Sequence, residues 1–465
     1  MKRSYSLVGG LVIGLTFCLF LRTNAQESED EAISNLQKYI QIRTDQPHPD
    51  YASAVEFLTQ LATEIGLETQ SLELVPGKPI FLAWLLGSNG DGSTILLNSH
   101  MDVVPVEPGG WSQDPFAATI ERDKVYGRGT QDMKSVTIQY LEALRHLIRR
   151  GWKPDRTVLL SVVPDEEIGG AQGMGVFVES KEFQKWNISL ELDEGLANPQ
   201  SFMWLYYGER QPWWLTIGAT DQPAHGATLP NHTAIQHLYK IEQKVLEFRK
   251  QQEQQVSQGI PLGDIIGINL VYLRSGVTKD DHSYVMNMVP GIAELGLDIR
   301  VPPTKQHSQE MTRIISDWLS CTEDEIMNNW IGNCSHYYYK FIHRVDIPQV
   351  TSKDPVENPY YQVIQQVFDE LSISYKTAIF PASTDARYLR ERKIPCFGFS
   401  PIHSTPVLLH DNDEYIPKDI FLKGISIYER LIEALSTLDY PTIPSCKPTE
   451  NITHSITTTM PHEEL

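Results

Sequence analysis

Thr157-Val158-Leu159-Leu160-Ser161-Val162-Val163, an uncharged β-type run, leads directly into Pro164-Asp165-Glu166-Glu167-Ile168-Gly169-Gly170. Three consecutive carboxylates at the end of a buried strand repel one another and lose hydration, so a positive partner is expected close by. On a surface turn the same residues would make no such demand. Neighbouring side chains on an extended backbone point to opposite sides. Glu166 and Glu167 are therefore expected to do different jobs, one binding a cation while the other faces a substrate. Asp165 reads as a solvated or capping residue.

Working outward, other acidic and imidazole residues fall at comparable places. Strands are expected over 80–86 and 94–97, and the second runs into Asn98-Ser99-His100-Met101-Asp102. His100 and Asp102 then face one side, and a metal-binding imidazole usually donates its other N–H to a carboxylate. Tyr126-Gly127-Arg128-Gly129-Thr130-Gln131-Asp132-Met133-Lys134 precedes a helical pattern with Val136, Tyr140, Leu141, Leu144, Leu147 and Ile148 on one face. Asp132 sits just ahead of that helix, where an acidic residue is ordinary. A further strand, 188–192, ends in Asp193-Glu194-Gly195. Strand, helix, strand, helix-like segment, strand implies an α/β fold with a largely parallel sheet. Such sheets bind ligands outside the carboxyl ends of their strands, where His100, Asp102, Asp132, Glu166, Glu167 and Glu194 all fall.

After Tyr206 the rhythm changes. Strand 213–217, helix 233–249, strands 265–273 and 293–301, helix 309–319 and strand 337–341 spell β-α-β-β-α-β, a compact α+β domain. The expected organisation is a catalytic domain in two parts, 26–209 and 349–440, interrupted by an inserted domain, 210–348. A flexible Pro- and Thr-rich tail follows over 441–465. Trp213 and Trp214 read as sheet and domain packing.

A length of 465 residues corresponds to two or three domains. Hydrophobic residues at 41% and charged residues at 21% fit a soluble globular chain. A net charge of -20 argues against nucleic-acid partners and anionic membrane surfaces. Lys2 and Arg3, the apolar run from Leu7 to Leu21 and Thr23-Asn24-Ala25 mark residues 1–25 as a signal peptide, read as cleaved, with an uncleaved anchor as the alternative. The expectation is a secreted, extracellular protein with no membrane attachment after cleavage. Asn187, Asn231, Asn333 and Asn451 open sequons and are glycosylation candidates. Cys321 and Cys334 are close enough in sequence to close a disulfide loop, and Cys396 reads as a buried thiol.

The ordered set Ser99-His100-Met101-Asp102-Val103-Val104-Pro105, Gly129-Thr130-Gln131-Asp132-Met133-Lys134, Pro164 to Gly170, Leu192-Asp193-Glu194-Gly195 and Leu409-His410-Asp411 resembles the dinuclear-zinc aminoacylase and carboxypeptidase superfamily. Gly208-Glu209-Arg210-Gln211-Pro212-Trp213-Trp214, Ser383-Thr384-Asp385-Ala386-Arg387-Tyr388 and Pro406 to Asp411 are similar to its aminoacylase branch. The resemblance implies a zinc-exopeptidase-like α/β sheet with helices on both faces and an inserted ferredoxin-like dimerisation domain. It also implies two zinc ions per subunit. His100 would bind one, Asp132 would bridge both, Glu194 would complete the first shell, and Glu167 and His410 would hold the second. Glu194 is preferred over Asp193 on the Asp-Glu-Gly pattern. Asp102 would orient His100, and Glu166 would be the general base.

His225, in Pro223-Ala224-His225-Gly226-Ala227, resembles the histidine that reaches a neighbouring subunit's site and polarises the scissile carbonyl, which implies a homodimer. By itself a histidine in such a turn is ordinary. Asn287 and Arg300 resemble substrate contacts, and Arg387 suits bidentate recognition of a substrate carboxylate. The expected function is zinc-dependent hydrolysis of N-acyl-L-amino acids to a carboxylic acid and a free L-amino acid. The alternatives are a metallocarboxypeptidase or dipeptidase on the same scaffold, and a non-catalytic binding protein. The last would have lost a ligand or the base, and every such position is filled.

Overall fold

Alternation along one strand sets the layering. In Lys78–Leu85, Phe81 and Ala83 join one apolar cluster while Ile80 and Leu82 join another on the opposite face. Successive side chains of a strand point to opposite faces, so a strand apolar at every position needs cover on both. The computed structural model describes residues 28–88, 92–346 and 350–437. On the first face lie a helix through residues 28–41 and helices Tyr51–Ile65, Lys134–Arg149, Pro359–Glu370 and Lys418–Leu435. Tyr140 and Tyr428 meet between two of these, with ring centroids 4.5 Å apart. Short helices Met174–Phe177, Lys181–Lys185 and Ala386–Glu391 cover the second face.

The strand Thr94–His100 lies near the middle of an eight-stranded sheet, parallel to Thr157–Val163 on one side and Ile188–Asp193 on the other. Cys396–Gly398 continues the parallel set beyond Ile188–Asp193. Lys78–Leu85 and then Glu68–Val75 extend one side, each antiparallel to its neighbour. Met203–Glu209 and Tyr375–Phe380 form the other side, parallel to each other and reversed relative to Cys396–Gly398. The sheet is thus largely parallel at its centre and mixed at its margins. All four central strands deliver their carboxyl ends to one edge. Glu68–Val75 and Met203–Glu209 escape a reading by apolar runs, because the first is mostly exposed and polar.

A single residue, Arg210, separates Met203–Glu209 from the first strand of the inserted domain, Gln211–Thr220. Its Nε donates to the Pro381 carbonyl at 2.7 Å, tying the junction to the main sheet. The inserted sheet runs Gly267–Ser275, Ile292–Val301, Gln211–Thr220, Tyr337–Arg344, Ile331–Cys334, antiparallel throughout. Helices Ala234–Ser257 and Lys305–Leu319 bury Ile241, Val245, Met311 and Ile315 against Leu215, Ile217, Leu295 and Leu297. This is the ferredoxin-like arrangement with one added edge strand. A disulfide joins Cys321 to Cys334, and Cys396 is a buried thiol. Trp213 is fully buried, whereas Trp214 is exposed on the other face beside His343.

Candidate active site

His100 closes the central strand and is buried. Its Nε2 lies 3.0 Å from Asp132 Oδ1 and 3.9 Å from Glu194 Oε2. The other oxygen of Asp132, Oδ2, lies 3.2 Å from His410 Nε2, which is also 3.0 Å from Glu167 Oε2. One carboxylate therefore spans two imidazoles, with Glu194 flanking the first and Glu167 the second. Glu166 joins His100 and Glu194 in a group whose ligand atoms lie within 4.8 Å of one another.

Glu166–Ile168 is one turn of 3-10 helix, so successive side chains are about 120° apart rather than opposed. That corrects the extended-strand picture: both glutamates lean toward the cluster, each with its own neighbours. The Asp102 carboxylate holds this turn from beneath, accepting the main-chain N–H of Glu166 at 3.1 Å and of Glu167 at 3.3 Å. Gln46 Nε2 donates to it at 2.9 Å. His100 Nδ1 donates instead to the Asp102 main-chain carbonyl at 2.8 Å, with the Asp102 carboxylate 3.7 Å away. A carbonyl only accepts, so this bond places the proton on Nδ1 and leaves Nε2 toward Asp132.

Asp165, read from sequence as solvated or capping, is not solvated, and it stands at the N-cap position of the glutamate turn without a side-chain capping bond. It is buried and accepts from Tyr51 Oη at 2.6 Å and from Lys78 Nζ at 2.8 Å. Lys78 is part of the positive charge that the acidic run demanded.

Two loops carry the remaining ligand candidates and are laced together. Glu414, buried, accepts from Arg128 Nη1 at 2.7 Å and from the N–H groups of Gly129 and Gln131 at 3.1 and 2.6 Å. The Gln131 amide donates to the Pro406 and Tyr415 carbonyls and accepts from the Leu408 N–H. The loop bearing Asp132 is thereby fixed to the loop bearing His410. Helix Lys134–Arg149 starts from Met133 with no side-chain cap, so Asp132 serves the histidines and not the helix. Gln131 and Glu414 escaped the sequence reading because their partners lie nearly three hundred residues away.

Burial, reinforced by the charge of Glu194, pushes the Glu166 carboxyl well above the usual range, and burial with Asp132 does the same to Glu194. Glu167 is pushed up to about 7 by burial and by Asp132. Hydrogen bonds to Asp132 and Glu167 push His410 up to about 10. For Asp132 burial works against ionisation, but the bonds from His100 and His410 outweigh it and hold the carboxyl far below its usual range. Four carboxyl groups thus share two imidazoles and remain short of positive charge. Glu167 Oε1 is buried without a hydrogen-bond partner among the described residues. Imidazole nitrogens, clustered carboxylates and an orphaned buried oxygen fit divalent ions of the zinc type. Asp193 has both oxygens engaged elsewhere, by Asn98 Nδ2 and the Ala386 N–H, whereas Glu194 faces His100.

Arg387 borders the cluster, donating to the carbonyls of Thr384 at 2.7 Å and of Gly169, in the glutamate turn, at 2.6 Å. Arg300 is held bidentately by Asp298 within the inserted domain. His225 and Asn287 sit together there, His225 pairing with Met288 and the Asn287 carbonyl accepting the Gly226 N–H. Among the described residues no hydrogen bond or ion pair links His225, Asn287 or Arg300 to the carboxylate cluster. His343, absent from the sequence reading, is lowered by burial and by the charges of Arg387 and Arg300.

The description of peptidase family M20/M25/M40 matches residues 96–434. The chain belongs to that family. Among its M20 relatives it is 38% identical to aminoacylase-1 of Sus scrofa over 427 residues, 91% of this chain and 100% of that protein. It is 37% identical to aminoacylase-1 of Homo sapiens, with the same shares covered, and 38% identical to that of Dictyostelium discoideum, over 88% of this chain and 99% of that protein. In fold it is similar to the M20 metallo-carboxypeptidase Sso-CP2 from Sulfolobus solfataricus, with a TM-score of 0.65 at 18% identity, covering 88% of this chain and all of that one. Human carnosine dipeptidase 1 gives a TM-score of 0.59 at 14% identity, covering 90% and 99%. M20 membership makes the chain an amide- or peptide-bond hydrolase.

These relatives also correct the expectation of a secreted protein. The relatives that align over 88–91% of this chain are aminoacylase-1 proteins, and they do not support secretion. Residues 1–25 and Asn451 lie outside the described residues. Asn187, Asn231 and Asn333 are exposed, and nothing in the relatives supports their reading as glycosylation sites.

Proposed function

We propose that this chain hydrolyses N-acyl-L-amino acids to a carboxylic acid and a free L-amino acid, using two zinc ions per subunit. The observation that carries the reading is the Asp132 carboxylate, one oxygen toward His100 and the other toward His410. His100, Asp132 and Glu194 would hold one ion, and Asp132, Glu167 and His410 the other. When bound, the ions supply Lewis acidity to the attacking water and to the acyl carbonyl.

Among the described residues, Glu166 stands beside this pair without a hydrogen-bonded cation of its own. Its raised pKa suits a group that takes a proton from water and returns it to the leaving nitrogen. Asp102 keeps Glu166 and Glu167 at fixed positions through their main-chain N–H groups. Arg387, beside the glutamate turn, would receive the substrate carboxylate, with Arg300 and Asn287 as further contacts. The partner subunit's His225 would donate to the developing oxyanion.

That last role calls for a homodimer. Among the described residues the outer strand Gly267–Ser275 has one unpaired edge and exposes Val271 and Leu273, and helix Ala234–Ser257, packed against the same strand, exposes Tyr239 and Leu246. Such an edge invites pairing with a second copy.

The test is a substrate panel run on zinc-loaded protein: N-acetyl-methionine and longer N-acyl amino acids against unblocked dipeptides. Preferential cleavage of the blocked amino acids is expected. Dipeptide cleavage without it would establish the dipeptidase or carboxypeptidase reading, and no cleavage of any N-acyl amino acid would overturn the proposal.

A further inference from the structure

The inserted domain holds a second convergence of imidazole and carboxylate, built from segments that the hydrolytic site does not use. Asp221 follows the strand Gln211–Thr220, His237 lies in the first turn of helix Ala234–Ser257, and His336 lies in the turn between Ile331–Cys334 and Tyr337–Arg344. His237 Nε2 is 3.0 Å from Asp221 Oδ2. The rings of His237 and His336 stack with centroids 4.4 Å apart and planes inclined by 11°. One ligand atom from each of the three residues lies within 4.8 Å of the others. A third imidazole, His232, has its centroid 5.7 Å from that of His237.

The frame around them is fixed by main-chain bonds. The Thr220 N–H donates to the His336 carbonyl at 2.8 Å, and Tyr337 Oη donates to the His237 carbonyl at 3.3 Å. Thr233 caps the helix that presents His237. The disulfide at Cys334 anchors the hairpin two residues before His336. The other oxygen of Asp221 accepts the Gln222 N–H at 2.7 Å, which orients the carboxylate in the way that supporting bonds orient metal ligands. A histidine–carboxylate ion pair needs one imidazole. Here a second is stacked on the first, and two protonated rings so placed would repel.

We propose that Asp221, His237 and His336 form a separate binding site for one borderline divalent ion of the zinc class, with an open position for water or His232. Tetrahedral zinc, with bonds of about 2.0–2.2 Å, sets its ligand atoms about 3.3 Å apart. The side chain of exposed His336 can rotate to meet that requirement while buried His237 keeps its place. Two imidazoles with one carboxylate favour zinc over magnesium or calcium, which seek oxygen shells. A bound ion would staple a strand end, a helix start and a hairpin turn into one unit. The site is independent of the hydrolytic reading.

Equilibrium dialysis against micromolar free zinc, followed by metal analysis, tests it on the full chain. Wild-type protein is expected to hold one zinc per subunit more than His336→Gln or Asp221→Asn, with the rate of hydrolysis unchanged in both variants. With the catalytic ions already in place, added zinc should raise the melting temperature of wild type and leave that of His336→Gln unmoved. Both replaced side chains are at least partly exposed, so folding is preserved, and the measured quantity is a difference that does not depend on how many ions the catalytic cluster holds. Equal zinc content in wild type and both variants would overturn the proposal and leave the cluster as an ion pair beneath a ring stack.

Discussion

At the scale of single residues, Glu166 and Glu167 are neighbours with different surroundings, and that difference is testable. Glu166→Gln preserves shape and removes the proton acceptor. Turnover should fall by roughly 10²–10⁴-fold, the span assigned to general acid–base help, while zinc content and circular dichroism stay unchanged. An active variant would remove Glu166 from that role. A second prediction follows from the metal-free protonation state. His410 is raised to about 10 and Glu167 to about 7, so at neutral pH the first carries its proton and the second is partly protonated. Zinc must displace those protons, so binding to chelator-stripped protein should release at least one. Apparent affinity should then rise with pH by about tenfold per unit for each proton released. Calorimetry in buffers of differing ionisation enthalpy measures the number, and a value of zero would contradict the assigned ligands. His100, Asp132, Glu167 and Glu194 were legible as candidates from their places at strand ends or just before a helix, and His410 only through the resemblance of Leu409-His410-Asp411; the structure brings the five together. Asp165 was misread, since Tyr51 and Lys78, which make its burial tolerable, are 114 and 87 residues away.

At the scale of elements, ligand geometry depends on how loops are tied, not on the strands alone. Glu414 accepts bonds from Arg128, Gly129, Thr130, Gln131 and Asp132, and Gln131 then grips the segment that presents His410. Glu414→Ala would strand the buried Arg128 guanidinium without its carboxylate. Loss of one partner from a buried pair costs about 3–5 kcal/mol, so urea unfolding should shift by that amount. The same variant should lose zinc to a chelator faster than wild type, because both ligand-bearing loops are loosened. Normal stability together with normal zinc retention would show the clamp to be dispensable. The central strands and the β-α-β-β-α-β order were readable from apolar runs and helical spacing. The margins were not: Glu68–Val75 has little apolar content, and the neighbours of each strand are set by tertiary packing that no local pattern encodes. The opposed directions assumed for Glu166 and Glu167 failed for a related reason, since a strand's end need not remain extended.

At the scale of the molecule, the separation of His225 and Asn287 from the carboxylate cluster is the main feature to explain. Two arrangements would complete the site: closure of the inserted domain over its own cluster, or donation of His225 by a partner subunit. Complementation distinguishes them. In a mixed dimer of Glu166→Gln and His225→Ala subunits, donation in trans leaves one site with both groups intact and the other with neither. Random reassortment makes about half of the dimers mixed, each with one working site of two, so about a quarter of wild-type activity should return on co-refolding two inactive variants. Donation in cis leaves a defect in every site, and the mixture should stay inactive. Val271→Lys with Leu273→Lys supplies the companion measurement on the exposed edge strand. Sedimentation should report monomers with native circular dichroism, and activity should fall to the level of His225→Ala. Full activity in such monomers would place His225 in cis and remove the dimer from the mechanism.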